Sequence, residues 1–187
     1  MGPSLDRAVR ALDAGELVVF PTDTLLGLAA RAADPKAVAR LLRAKARPGG
    51  QPLSVAVSSA DEIEPLGRLS RTARGFVRRH LPGPYTILLR PTPTARRRLA
   101  PAVAGGRTIG LRVPDHPVAR ELARRVGPVV ATSANRHGER PARTIAEAER
   151  AFGSKVRVYL AARPPPVGRP SDLVDLTGSG VGRVVPR

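Results

Sequence analysis

The 187-residue chain predicts an α/β domain, a twisted mixed sheet with covering helices, and three observations carry that prediction. Short apolar runs rich in Val, Ile and Leu alternate with stretches whose apolar residues recur at helical spacing. Most runs are cut off sharply, as Pro21, Pro114 and Gly127 do, which limits them to strand or short-helix length. No heptad, repeat or low-complexity block is present, so the elements must bury one another in layers.

Each element follows in order. Ser4 caps a first helix in which Leu5, Val9 and Leu12 share a face, and Gly15 closes it ahead of a strand over 17–20. The stretch 25–30 fits strand or helix, and its neighbours favour strand. Asp34 caps and Pro35 opens a helix that buries Val38, Leu41 and Leu42. Pro48, Gly49, Gly50 and Pro52 stop it and form a loop. A strand over 53–57 and a short helical turn over 60–66 come next. Ser70 caps a helix over 71–80, with Phe76 and Val77 inward and Arg74, Arg78 and Arg79 outward. Pro82-Gly83-Pro84 breaks the chain before a strand over 85–89.

A turn of helix over 94–100 carries Arg96, Arg97 and Arg98, and a strand over 108–113 ends at Pro114. A helix over 117–126 stops at Gly127, and a strand over 128–131 runs into Thr132-Ser133-Ala134-Asn135. Thr144 caps a helix over 145–152 with Glu147 and Glu149 in its early turns, where the helix dipole favours them. Strands over 156–160, 171–176 and 182–185 complete the set, with Arg163-Pro164-Pro165-Pro166 as a stiff extended connector. Residues 1–187 read as a single domain.

Composition narrows the function. With no Cys there is no disulfide framework, thiol nucleophile or cysteine zinc cluster. His80, His116 and His137 lack ligand spacing, so no protein-held metal is expected. The N-terminus reads as a helix rather than a signal peptide, and no run is long enough for a membrane span, which makes the cytoplasm the default. A formal net charge of +17 predicts attraction to RNA, DNA or nucleotide phosphates, although heavy use of Arg, Ala, Gly and Pro spreads much of that charge over solvated surface. Three Phe, two Tyr and no Trp argue against a base-stacking single-strand platform.

The cations are unevenly written. Lys occurs only at positions 36, 45 and 155, so 29 of the 32 basic residues are Arg. Lys45 therefore stands out beside Arg47 at a helix end, where a compact ammonium and a planar fork together suit a phosphate or carboxylate. Thr22 and Thr24 follow the first strand, Arg112 lies near the end of another, and Ser133 and Asn135 follow a third. Ligands of open α/β sheets collect beyond such strand ends, so these residues outline a cleft for an anionic, hydrogen-bonding small molecule. Thr22 and Asp23 serve equally well as turn closers, and Asp175 equally well as a buried partner for an Arg.

Taken together, the motifs resemble the YrdC-like L-threonylcarbamoyladenylate synthases. They are Phe20-Pro21-Thr22-Asp23-Thr24 with Gly27-Leu28, Lys45-Ala46-Arg47-Pro48 with Pro52-Leu53, Pro82-Gly83-Pro84-Tyr85-Thr86, the stretch 108–114 with His116-Pro117, Ser133-Ala134-Asn135, and Ser171 with Val174-Asp175. They keep the family's order over roughly residues 10–185. The resemblance implies a YrdC-like sheet with an open basic cleft, nucleotide contacts from Lys45, Arg47, Thr108, Ser133, Asn135 and Arg183, and threonine contacts from Thr24, Arg112 and Ser171, with Lys45 and Arg47 catalytic. It implies the joining of L-threonine, bicarbonate and ATP into threonylcarbamoyl-AMP and pyrophosphate for threonylcarbamoyladenosine in tRNA, with magnesium on the triphosphate and partner proteins of tRNA modification. Leu26 and Ala56 depart from the family's Tyr and His, and Pro170-Ser171-Asp172 from its Glu-Ser-Thr.

Two other readings stay open. One is a noncatalytic RNA-binding module that holds tRNA or double-stranded RNA with the cleft and the patch at Arg96, Arg97 and Arg98. The other is an ATP-binding YrdC-like paralogue acting on another substrate.

Overall fold

The computed structural model describes residues 4–47, 53–161, 165–178 and 182–185. The loop from Pro48 to Pro52, and Arg163 and Pro164 of the connector, lie outside the described residues. Four caps drawn from the sequence close helices as expected. The Ser4 side chain accepts from Arg7 N at the start of α1 (Leu5–Asp13), and Asp34 from Lys36 N and Ala37 N at α2 (Pro35–Lys45). The short α3 (Ile63–Leu66) follows a 3-10 turn. Ser70 caps α4 (Arg71–His80) by accepting from Ala73 N. The arginine triplet belongs to α5 (Pro93–Arg98), which starts earlier than read because Thr92 caps it, and α6 (Pro101–Ala104) is a separate turn. Gly127, at φ 86°, ends α7 (Pro117–Val126), and Thr144 caps α8 (Ile145–Phe152) through Glu147 N.

The strands are β1 (Val18–Pro21), β2 (Leu26–Arg31), β3 (Ser54–Ala56), β4 (Tyr85–Leu89), β5 (Ile109–Arg112), β6 (Val129–Ser133), β7 (Val158–Tyr159), β8 (Asp172–Asp175) and β9 (Arg183–Val185). They form one mixed sheet in the order β7-β1-β2-β6-β3-β5-β4-β8-β9. The ambiguous 25–30 stretch resolves as strand because β2 lies between β1 and β6, buried on both faces, where polar alternation has no place.

Register decides which residues share a face. Gly27 pairs with Ser133, Ser54 with Gly110, and Gly110 with Leu88, so these five look out from one side of the sheet together with Ala131 and Arg112. The opposite face is sealed by α2–α6 and α8, whose Val38, Leu41, Ile63, Val77, Val103 and Phe152 join Leu28, Val55, Ile87, Leu111 and Val130 in the main core. Over the first face, α1 and α7 bury Phe20, Ala29, Ala56 and Val129 and leave the rest uncovered. Part of a sheet face is thus open, and its floor is made mostly of small residues.

Gly27 lies where the open floor meets the covered part, against Phe20. A Cβ there would stand 2.7 Å from Phe20 Cε1, and Phe20 is fully buried. Gly27→Ala should destabilise the protein by about 1–3 kcal/mol, the usual cost of overpacking a closed site, read from denaturant midpoints. An unchanged midpoint would show that the ring yields freely.

Candidate functional site

The open half-face is a cleft of about 420 Å³. Its floor is Gly27, Ser54, Leu88, Gly110 and Ala131, and its walls carry Thr22, Thr24, Arg47, Arg112, Ser133 and Ser171. Its described lining contains two guanidinium groups and no carboxylate. Five sequence-predicted site residues, Thr24, Arg47, Arg112, Ser133 and Ser171, therefore converge on one space.

On one side the loop between β1 and β2 folds tightly upon itself. Thr22 Oγ1 accepts from Thr24 N and Leu25 N (3.2 Å each), donates to Leu25 O (2.7 Å) and lies 3.1 Å from Thr24 Oγ1. Thr22 is thus both turn closer and wall. Arg112, almost wholly buried, donates from Nη1 to Thr24 Oγ1 (3.2 Å) and from Nη2 to Asp23 Oδ1 (2.7 Å). Across the cleft, Ser171 Oγ is 2.8 Å from Thr86 Oγ1, both hydroxyls being buried. The segment bearing Pro170 and Ser171 is tied to the threonine loop by Val167 N to Asp23 O (3.1 Å) and Gly168 N to Thr24 O (2.9 Å).

The other side departs from expectation. Lys45 does not line the cleft: its side chain runs beneath it, 3% exposed, and Nζ donates to Ser133 O and Asn135 O at 2.6 Å each. His137 N returns a bond to Lys45 O (2.8 Å), so the end of α2 and the loop after β6 are stitched both ways. Asn135 also lies behind the wall, donating from Nδ2 to Arg136 O and Glu139 O (2.8 Å each). The reason is the helix end. Ala46 adopts the left-handed conformation (φ 51°, ψ 37°), and Arg47 N bonds back to Leu42 O at 3.1 Å. That reversal sends Arg47 into the cleft while Lys45 remains under it.

Thr108 and Arg183 stand apart from the cleft. Thr108 lines a neighbouring hollow of about 400 Å³ with Arg68, Arg90, Arg96 and Arg107. Arg183 is exposed on the edge strand β9, opposite Asp175. Asp175 accepts from Thr177 N at 2.9 Å, and that bond, with Arg183 nearby, holds its carboxyl below the usual range. The arginine triplet does not act as one patch. Arg96 holds Gly105 O and Gly106 O (2.9 and 3.0 Å), whereas Arg98 faces another hollow beside Arg31 and Arg124. Reading strand ends missed Asp23 and Thr86, which brace the walls. It also missed the floor, although the small residues at Gly27, Ser54 and Gly110 were a visible signal. Ala56, where the resembled family carries His, is fully buried beside Arg112 in register, and Leu26 joins the wall.

A twisted mixed sheet with two guanidinium groups and several hydroxyls around a mostly small-residue floor has the charge and shape to suit a small anionic ligand. The chain belongs to the Sua5_yciO_yrdC family, described as Telomere recombination, whose profile matches residues 10–185. A threonylcarbamoyl-AMP synthase of Thiobacillus denitrificans is 38% identical over 165 residues, covering 87% of this chain and 85% of the relative. One from Chromobacterium violaceum is 37% identical over 180 residues, 95% of this chain and 91% of the relative. Among solved structures, P. abyssi Sua5 complexed with L-threonine superposes with a TM-score of 0.84 at 29% identity, covering 92% of this chain. The chain spans half the length of that Sua5 chain.

Electrostatics give Lys45 a test. Burial, then the Arg47 charge, lower its ammonium from 10.5 to about 8, with Glu139 opposing. Between those two values the unfolded chain binds more protons than the folded one, so the Lys45 contribution makes stability rise with pH across that window. The stability of the native protein relative to Lys45→Met, taken from denaturant midpoints, should increase as pH is raised from about 8 toward 10.5. A pH-independent difference would show that the buried ammonium keeps its ordinary affinity.

Proposed function

We propose that this protein is a threonylcarbamoyl-AMP synthase. It joins L-threonine, bicarbonate and ATP to give threonylcarbamoyl-AMP and pyrophosphate, the activated group for threonylcarbamoyladenosine in tRNA. The observation that carries the reading is the agreement, across 85–91% of their lengths, with relatives that bear that name. The cleft supports it chemically.

In this reading Arg112, with Thr24 and Ser171, receives the amino acid, the guanidinium meeting its carboxylate and the hydroxyls its polar side chain. The amine and bicarbonate lose water to form a carbamate. A carbamate oxygen then bonds to the α-phosphorus in line as the bond to the bridging oxygen breaks and pyrophosphate leaves. Arg47 and Ser133 line the wall where charge on the phosphates must be offset. Lys45 and Asn135 brace that wall from behind, through the bonds of Lys45 Nζ to Ser133 O and Asn135 O. Thr108 and Arg183 are reached only by the outer part of a nucleotide. Magnesium enters on the triphosphate; among the described residues no group of three or more His, Asp or Glu is placed to hold a metal ion.

The protein works as one domain over 1–187, in the cytoplasm, with tRNA-modification proteins as its partners. Among the described residues no helix is long and apolar enough to cross a membrane. Arg47→Ala should lower turnover by about ten- to a thousandfold, or ~1.4–4 kcal/mol for one electrostatic contact, with melting little changed. The assay is pyrophosphate release with L-threonine, bicarbonate and ATP omitted in turn. Native protein that releases no threonine-dependent pyrophosphate overturns the assignment.

RNA binding rests on a separate observation. The hollow lined by Arg68, Arg90, Arg96, Arg107 and Thr108 has no carboxylate in its described lining. It lies past the ends of β4 and β5, where Arg90 follows Leu89 and Thr108 precedes Ile109. Arg90→Ala together with Arg107→Ala should weaken tRNA binding and reduce the salt slope of log K by roughly 0.7–0.9 for each phosphate that the protein no longer neutralises. An unchanged slope removes this surface from RNA binding.

A further inference from the structure

We propose that Asp23, which does not itself line the cleft, is a positioning residue that makes Arg112 selective for the carboxylate of the amino-acid substrate. The inference rests on the reading of the cleft as an amino-acid site and goes beyond it by explaining how one cation there is aimed.

Arg112 is 7% exposed and lines the cleft. An arginine side chain has long reach and several rotamers, so lining a cleft does not by itself fix the plane of its fork. Two contacts on the β1–β2 loop do. Asp23 Oδ1 takes Nη2 at 2.7 Å, and Thr24 Oγ1 takes Nη1 at 3.2 Å. The ion-paired side chains are 8% and 12% exposed, which shields their attraction from solvent screening. Thr22 in turn locks the loop, so Asp23 is held by backbone as well as by its partner. The second carboxylate oxygen, Oδ2, is buried with no hydrogen-bond partner among the described residues. A carboxylate that leaves one oxygen unsatisfied contributes little as a generic fold contact, since the desolvation of that oxygen is uncompensated. Its return is in aiming Arg112.

A carboxylate already bound to the guanidinium also lowers its attraction for anions in general. What remains is selectivity by geometry, for a planar carboxylate that meets the fork in one orientation. Loss of Asp23 should therefore damage recognition of the amino acid while leaving the nucleotide end of the cleft, at Arg47 and Ser133, intact.

The experiment compares native protein, Asp23→Ala and Asp23→Asn in pyrophosphate release, with thermal melting alongside. Each is titrated with L-threonine and with ATP, and binding of L-threonine is compared with that of L-threoninol, which has an alcohol in place of the carboxylate. Asp23→Ala should raise KM for L-threonine by about tenfold or more, keep KM for ATP within about twofold, and shrink the preference for L-threonine over L-threoninol. Asp23→Asn, whose amide oxygen still accepts from Nη2, should recover part of that preference. The proposal is overturned by folded variants with an unchanged preference, by equal rises in both KM values, by lower turnover with both KM values intact, or by failure of both variants to fold. Native protein without threonine-dependent activity would instead strike the underlying reading, not the role of Asp23.

Discussion

A single buried ammonium behind the cleft wall ties together two segments far apart in the chain, and the wall depends on that tie. Lys45 Nζ joins the end of α2 to two carbonyls at the end of β6, elements 88 and 90 residues apart in sequence. Among the described residues no strand pairing links these segments, and neither carbonyl could be left buried without a donor at small cost. The tether holds the end of β6, with Ser133, beside the helix end that carries Arg47, and both residues line the cleft. A guanidinium has a wider, planar head and would separate the two carbonyls, which gives a physical reason for Lys here in a chain that otherwise uses Arg almost throughout.

The cleft itself is a consequence of unequal coverage. Helices α2–α6 and α8 seal one face of the sheet, while α1 and α7 cover only part of the other. Leu88 is the one large apolar residue named in that floor, and were its other positions Val or Leu as well, the exposed half would be an apolar liability. Instead Gly27, Ser54, Gly110, Ala131 and Ser133 keep the floor low, and the polar groups rise from the loops around it. Alternate positions thus divide: Leu28, Val55, Ile87, Leu111 and Val130 point into the main core, while Gly27, Ser54, Gly110 and Ala131 face the cleft.

Local signals were the legible ones. Ser4, Asp34, Ser70 and Thr144 revealed their helices because a cap is a bond between neighbours in sequence. Strand ends shifted by a residue or two, and Ser133 proved to close β6 rather than follow it, because pairing partners set those limits. The ordered motifs placed Thr24, Arg47, Arg112, Ser133 and Ser171 around one cleft. What sequence could not supply was depth. Lys45 and Arg47 are two residues apart, yet the left-handed turn at Ala46 puts one under the wall and the other in it. Asp23 was legible only as a turn residue, since its partner lies 89 positions away.

The two backbone bonds from Val167 and Gly168 to Asp23 and Thr24 have a dynamic corollary. The floor strands lie inside the sheet, so their amides exchange with solvent only through large-scale unfolding. The amides of Val167 and Gly168 answer to a much smaller event, the opening of a surface loop. They form one cooperative unit with the threonine turn, and any ligand that steadies Thr24 slows exchange at both, about 140 residues downstream in the chain though adjacent in space.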